Sequence, residues 1–167
     1  SSEVNSPIPA LDLATEAVTY NMPFWQRPYD SNYGFRFNAN SNILLTKVMT
    51  NRGNGIVPVT IWTDTGTLLR RVDVPNCAVG VWTEADVVPP LELTAGQTYR
   101  IATYWNEVKT YFFTMEPQTI TRSPDVTLIG GCEIGGLAFP SSPDYYVRGV
   151  CNFKYVKSRY FASYTGT

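Results

Sequence analysis

Hydrophobic and polar residues alternate with a period of two through most of the middle of the chain, and turn residues interrupt the alternation at short intervals. Val57, Val59 and Ile61 alternate with Pro58, Thr60 and Trp62 before Asp64-Thr65-Gly66; Leu68, Arg70, Val72 and Val74 then alternate with Leu69, Arg71 and Asp73. Two such runs around a glycine-containing turn predict a hairpin. After Pro89-Pro90, Leu91 and Leu93 lead into Thr94-Ala95-Gly96-Gln97, and Tyr99, Ile101 and Thr103 alternate with Arg100, Ala102 and Tyr104. Upstream, Tyr33, Phe35 and Phe37 alternate with Gly34, Arg36 and Asn38, the mark of a half-buried strand, and Ile43 to Thr50 predicts the next one. Downstream, strands are predicted over Lys109 to Met115, Val126 to Ile129 and Tyr145 to Tyr155, the last with Val147, Cys151, Phe153 and Tyr155 on one face. This reading gives eight or nine strands and no helix. It predicts an all-β fold, an antiparallel β-sandwich of jelly-roll type.

Residues 1–30 break the pattern. Ser1 to Pro9 is rich in serine and proline, Leu11 and Leu13 alternate weakly with Asp12 and Ala14, and Met22 to Tyr29 is an aromatic stretch punctuated by prolines that no helix can continue. The expected organisation is an extended arm over 1–30, a sandwich domain over 31–156 and an aromatic tail over 157–167. Such an arm can add itself as a strand to the open sheet edge of a neighbouring subunit, with Ile8, Leu11, Leu13 and Val18 filling pockets. Repeated head to tail, that contact builds a filament. The alternative is that the arm wraps its own domain or is a linker.

Composition narrows the setting. Only 16% of the 167 residues are charged and 14% are aromatic, so Thr, Ser, Asn and Tyr must cover the surface, which suits a secreted protein. A formal net charge of −1 supplies no long-range field, and nucleic acid is not expected as a partner. No apolar run approaches the ~20 residues that span a bilayer, so membrane insertion is not expected. The chain begins at Ser1 without an initiator Met or a signal-like apolar region, which reads as a mature or trimmed form. Of three cysteines, Cys132 and Cys151 are expected to pair, closing a loop of about 20 residues that would contribute roughly 3 kcal/mol. Three reduced, buried thiols are the alternative, and Cys77 is left without an assigned partner.

Several of these strands carry a family resemblance. The runs Tyr33-Gly34-Phe35-Arg36-Phe37, Val59-Thr60-Ile61-Trp62-Thr63-Asp64 with Gly66-Thr67-Leu68-Leu69, and Leu91-Glu92-Leu93-Thr94-Ala95-Gly96-Gln97-Thr98-Tyr99 are similar to a bacterial family of secreted and cell-surface β-sandwich domains of unknown function. Asp125 to Gly131, Leu137 to Pro140 and Asn152-Phe153 fit the same pattern, so the similarity spans roughly residues 31–156. It implies the sandwich and a cell-envelope setting beside sugar-active or adhesive modules. It brings no catalytic residues.

The chain offers little chemistry. It has no histidine, which removes Ser-His-Asp triads, Cys-His pairs and imidazole metal sites. Carboxylate pairs for glycoside hydrolysis would have to come from Glu84, Asp86, Glu92, Glu107 or Glu116. Glu84 and Asp86 read as loop residues and Glu92 as an outward strand residue, so solvated surface charge is expected and no catalytic residue is assigned. Calcium is the one metal with a case, at Asn38, Asn40 and Asn42 or at Asn51 and Asn54; neither cluster holds a carboxylate, so turn chemistry is expected and no metal or cofactor is assigned. Trp62 and Trp105, out of phase with or at the end of an apolar row, are candidate contacts for a sugar face, with core packing as the alternative. No Asn-x-Ser/Thr acceptor is usable, because Asn5-Ser6 is followed by Pro7 and offers no sequon.

The sequence thus leads to a non-enzymatic extracellular structural protein, a homo-oligomer or filament joined by strand addition of its arm. The alternative is a carbohydrate-binding or adhesive module whose partners are glycans.

Overall fold

The computed structural model describes residues 8–10, 30–106 and 124–157 in full, and the backbone alone of 25–27, 109–111 and 114–115. In chain order the strands are β1 (Ile8–Pro9), β2 (Trp25–Arg27), β3 (Ser31–Ala39), β4 (Ile43–Thr50), β5 (Gly55–Thr63), β6 (Leu68–Cys77), β7 (Thr83–Leu93), β8 (Thr98–Trp105), β9 (Lys109–Tyr111), β10 (Thr114–Met115), β11 (Val126–Gly135), β12 (Ser142–Asp144), β13 (Val147–Arg148) and β14 (Cys151–Lys157). Two antiparallel sheets face each other, one in the order β1-β14-β4-β7 and the other in the order β12-β11-β3-β8-β5-β6. The pairs β2-β9 and β10-β13 stand apart as two-stranded ribbons. This is the all-β sandwich that the alternation predicts.

The period of two divides the core from the outer faces. On β3, Tyr33, Phe35 and Phe37 are fully buried between the sheets, whereas Arg36 and Asn38 are half-buried on the far side. The same rule buries Val57, Val59 and Ile61 on β5 and Tyr99 and Ile101 on β8. From the opposite sheet, β14 contributes Phe153 and Tyr155. Ring centroids of Phe37 and Phe153 lie 4.8 Å apart, those of Phe37 and Tyr99 5.9 Å and those of Phe35 and Phe153 6.3 Å. Aromatic contacts of this kind add about 0.5–1.5 kcal/mol each beyond simple burial; the two made by Phe153 fix the sheets against each other, and Phe37–Tyr99 joins neighbouring strands of one sheet.

The predicted hairpin is β5-β6, closed where the Thr63 amide donates to the Thr67 carbonyl at 2.9 Å. Glu84 and Asp86, by contrast, are not in a loop. They sit on β7, an eleven-residue strand that carries Pro89 and Pro90. Pairing with β4 jumps from Lys47–Asp86 to Leu45–Leu91, so Val87 to Pro90 bulges off the ladder, and an edge strand tolerates the two missing amide donors. Lys47 lies 2.7 Å from Asp86 and Lys154 3.0 Å from Glu84, which makes this outer face a small ion-pair network.

Every edge strand of the two main sheets carries proline: Pro9 on β1, Pro89 and Pro90 on β7, Pro143 on β12 and Pro75 on β6. Proline removes the amide that an incoming strand would need, a standard defence against edge-to-edge association. The arm itself is placed in part. Ile8 is opposite Tyr155, Pro9 opposite Lys154, and the Ala10 amide donates to the Phe153 carbonyl at 2.9 Å, all within the one chain. Ala10 is fully buried and Ile8 packs against the core. Leu11, Leu13 and Val18, and the aromatic tail after Lys157, lie outside the described residues.

The expected Cys132–Cys151 disulfide is corrected by the structure: all three cysteines are free and buried. Cys132, opposite Gly34 on β11, belongs to the outer side of the six-stranded sheet near Arg100, Arg36 and Asp64. Cys151 belongs to the core between the sheets, with its Sγ 3.9 Å from the Ile101 carbonyl. A sheet lies between the two thiols. Burial pushes Cys132 up to about 12, Cys151 well above the usual thiol value, and Cys77 upward as well. All three therefore stay protonated at neutral pH, and thiolate is the reactive form. Intact mass without reductant should show no intrachain bridge, and an aromatic disulfide reagent should label three thiols in denaturant but Cys132 and Cys151 only on global opening of the native state.

Candidate functional site

Four connections meet at one end of the sandwich and are tied to one another rather than left loose. The Gly96 amide donates to the Ala39 carbonyl at 2.8 Å, the Ala39 amide to the Gln97 carbonyl at 3.0 Å, the Asn40 amide to the Asp125 carbonyl at 2.7 Å and the Asp64 amide to the Thr98 carbonyl at 3.2 Å. Turns held this way form a preorganised rim, since little loop entropy remains to be lost when something binds.

Between the β5-β6 turn and the β7-β8 turn opens a cleft of about 390 Å³, lined by Thr63, Asp64, Thr65, Gly96, Gln97, Thr98 and Tyr99. Small-molecule sites run from roughly 300 to 1,000 Å³, so the cleft is at the small end. Gly96 has positive φ and open space where a Cβ would sit, which keeps the rim low. Tyr99 meets the cleft from the core side: its ring packs 5.9 Å from Phe37, and its hydroxyl accepts from the Thr94 amide at 2.9 Å, which braces the β7-β8 turn from within. Gln97 is exposed and presents both a donor and an acceptor.

Asp64 is the one charged residue of the lining. Its Oδ1 accepts from Arg100 Nε at 2.9 Å and from Arg36 Nε at 3.2 Å, while Oδ2 has a single long contact of 3.5 Å with Arg36 Nη2. One third of the side chain is exposed. Partial burial alone would raise its pKa, but the hydrogen bonds from Arg36 and then Arg100 outweigh it and hold the carboxyl below the usual range. Asp64 is thus a fixed anion with acceptor capacity left on Oδ2. Arg100 is fixed in turn, its Nη1 donating to the Pro140 carbonyl at 2.7 Å and its guanidinium lying 4.7 Å from the Phe139 ring.

Trp62 and Trp105 occupy different places. Trp62 is half-buried on the outer face beside this cluster; its indole N–H donates to Thr60 Oγ1 at 2.8 Å and its ring lies 5.7 Å from Phe139. Trp105 packs against the core at the other end, over Gly53, where a Cβ would collide with the indole. Neither ring is an open platform. The five asparagines considered for calcium serve as cross-links: Asn38 accepts from Thr98, Asn40 donates to Pro124 and Thr127, Asn42 accepts from Ala95, Asn51 donates to Gly149 and Asn54 accepts from Val79. Among the described residues no group of three or more metal-ligating side chains comes together. Glu107 and Glu116 lie outside the described residues.

Sequence reading passed over Asp64 as a turn residue. The signal that could have marked it is the pair of outward-phase arginines, Arg36 and Arg100, in strands otherwise made of neutral residues; one buried and one half-buried cation on the same sheet face call for an anion. No curated protein matches the chain. Residues 23–149 match the DUF4082 family, so the cleft, both arginines and strands β2 to β13 fall inside the match, while β1 and β14 fall outside it. The chain belongs to DUF4082, a domain of unknown function.

Proposed function

We propose that the chain is a non-enzymatic extracellular binding module that holds a neutral saccharide in the cleft between the β5-β6 and β7-β8 turns. The observation that carries this reading is the Asp64 carboxylate, fixed by two arginines on neighbouring strands and still able to accept. Sugar hydroxyls need acceptors and donors side by side. Asp64 supplies the first as a charge-assisted bond, and the Gln97 amide and Thr65 hydroxyl supply either one. An anionic ligand would meet the carboxylate instead, which favours neutral sugars.

Among the described residues no exposed aromatic face lines the cleft, so affinity rests on a few polar bonds that replace bonds to water. The expected Kd is on the order of 1 mM, about −4 kcal/mol, and retention at a surface would come from several copies acting together. Isothermal titration and a glycan array test this. Asp64→Asn should weaken binding at least tenfold and, because it leaves Arg36 and Arg100 without their anion, should also lower Tm, so binding is compared at a temperature where both proteins are folded. Because the arginines hold the Asp64 carboxyl below the usual range, binding by the wild type should stay flat from about pH 8 through the ordinary aspartate range and fall only at lower pH, where protonation removes the acceptor. Absence of saturable binding to any neutral saccharide would contradict the reading. The structural role expected of the arm ranks second, because Ile8 to Ala10 sit on their own sheet.

A further inference from the structure

The seat of β1 supports an interaction independent of the cleft. We infer that the outer edge of β14 is an exchangeable seat for the Ile8–Ala10 segment, and that a second copy of this chain supplies that segment when chains are crowded.

The contact is small and self-limiting. It comprises two residue pairings and the Ala10–Phe153 hydrogen bond, with Ala10 as its fully buried anchor and Ile8 beside it. Opening so short a strand costs far less than opening a central one, so exchange does not require global unfolding. The register also explains Pro9. The Ala10 amide donates to the Phe153 carbonyl, so the neighbouring Pro9–Lys154 pair falls at a non-hydrogen-bonded position of the ladder, and the main chain of residue 9 points away from β14. Proline there removes the outward donor. Nothing can then add beyond β1, whether the arm comes from the same chain or from another.

Each chain therefore has one arm to give and one seat to fill. Exchange produces a closed dimer, a ring or a linear chain, but never a branched aggregate. Among the described residues, the other three edges of the two main sheets are blunted by Pro75, Pro89 with Pro90, and Pro143, which favours arm exchange as a strand-addition route between copies.

Magnitudes decide when it happens. About 14 residues separate Ala10 from β2, a contour of roughly 50 Å when extended, enough to reach a neighbour. Bonds made in exchange are the same as those broken, so the balance depends on concentration. Covalent linkage within one chain gives its own segment an effective concentration on the order of 1 mM. Dilute chains keep their own arms. Chains packed into a surface array, where local concentration passes that value, exchange them.

The test uses full chains. Pro9→Cys and Lys154→Cys are made separately, mixed and oxidised; the non-hydrogen-bonded pair brings the two Cβ atoms within disulfide range. Chains with both substitutions should form an intrachain bond at micromolar concentration. In the mixture, disulfide between different chains should be negligible at about 10 μM and approach half of the chains near 1 mM, well above an exposed Thr94→Cys control mixed in the same way. A mixture that stays at the control level at several mM would overturn the inference, and so would failure of the double variant to form its intrachain bond.

Discussion

Gly34→Ala is expected to prevent folding or to lower stability by more than about 3 kcal/mol, read from the urea midpoint or from loss of soluble protein. Gly34 lies on β3, in register with Ala102 on β8 and Cys132 on β11. A Cβ built there would overlap the carbonyl oxygen of Ile101 and crowd the Ala102 Cα. Both obstacles are backbone atoms of a central strand, so relief requires opening the β3-β8 ladder rather than moving one side chain. Gly55→Ala is the matched control: its surroundings are empty, but φ is +76°. The left-handed conformation costs an alanine about 1–2 kcal/mol, so the control should fold with a modest loss. A Gly34→Ala variant within 1 kcal/mol of the wild type would mean that β3 and β8 do not approach as described.

Arg52→Met is expected to cost about 3 kcal/mol, and Arg52→Lys should recover little of it. Arg52 is fully buried at the end of the sandwich opposite the cleft. Its Nη1 donates to the carbonyls of Ser31 at 2.9 Å and Thr103 at 2.7 Å, and Nη2 to Ser31 Oγ at 3.2 Å, so one guanidinium joins the start of β3 to the end of β8. Bonds to a charged donor contribute about 1.5–3 kcal/mol each, and their loss leaves buried acceptors that cost about 1–3 kcal/mol. Lysine presents a point charge where a planar fork is needed. For a chain of this size the loss corresponds to a fall in Tm of about 6–12 °C. An unchanged Tm in Arg52→Met would show that these carbonyls find other partners.

Much of the fold is written in the alternation. Tyr33, Phe35 and Phe37, the limits of β4 and the β5-β6 turn all follow from side chains that alternate across a pleated strand, a local rule that needs no knowledge of partners. β7 was hidden by Pro89 and Pro90, because only an edge position tolerates them and edge position is a property of the sheet. The cysteine pairing failed for a related reason. Nearness in sequence does not reveal which sheet face a residue takes, and Cys132 and Cys151 take different ones. Gly34 is legible in retrospect, since a lone glycine in a clean strand marks close backbone approach. The site was the least legible part: Asp64 meets Arg36 across 28 residues and Arg100 across 36, and only the sheet order brings β3, β8 and the β5-β6 turn together. Trp62 stood out as an exposed ring, yet Phe139 covers it, 77 positions further along the chain.

The cleft is the centre of the account, and its direct test is titration of the wild type and Asp64→Asn with neutral saccharides that a glycan array selects. Saturable binding with Kd of about 1 mM is expected for the wild type, and at least a tenfold loss for Asp64→Asn at a temperature well below the Tm of both proteins. Equal binding by the two proteins, or saturable binding confined to acidic saccharides, would contradict it.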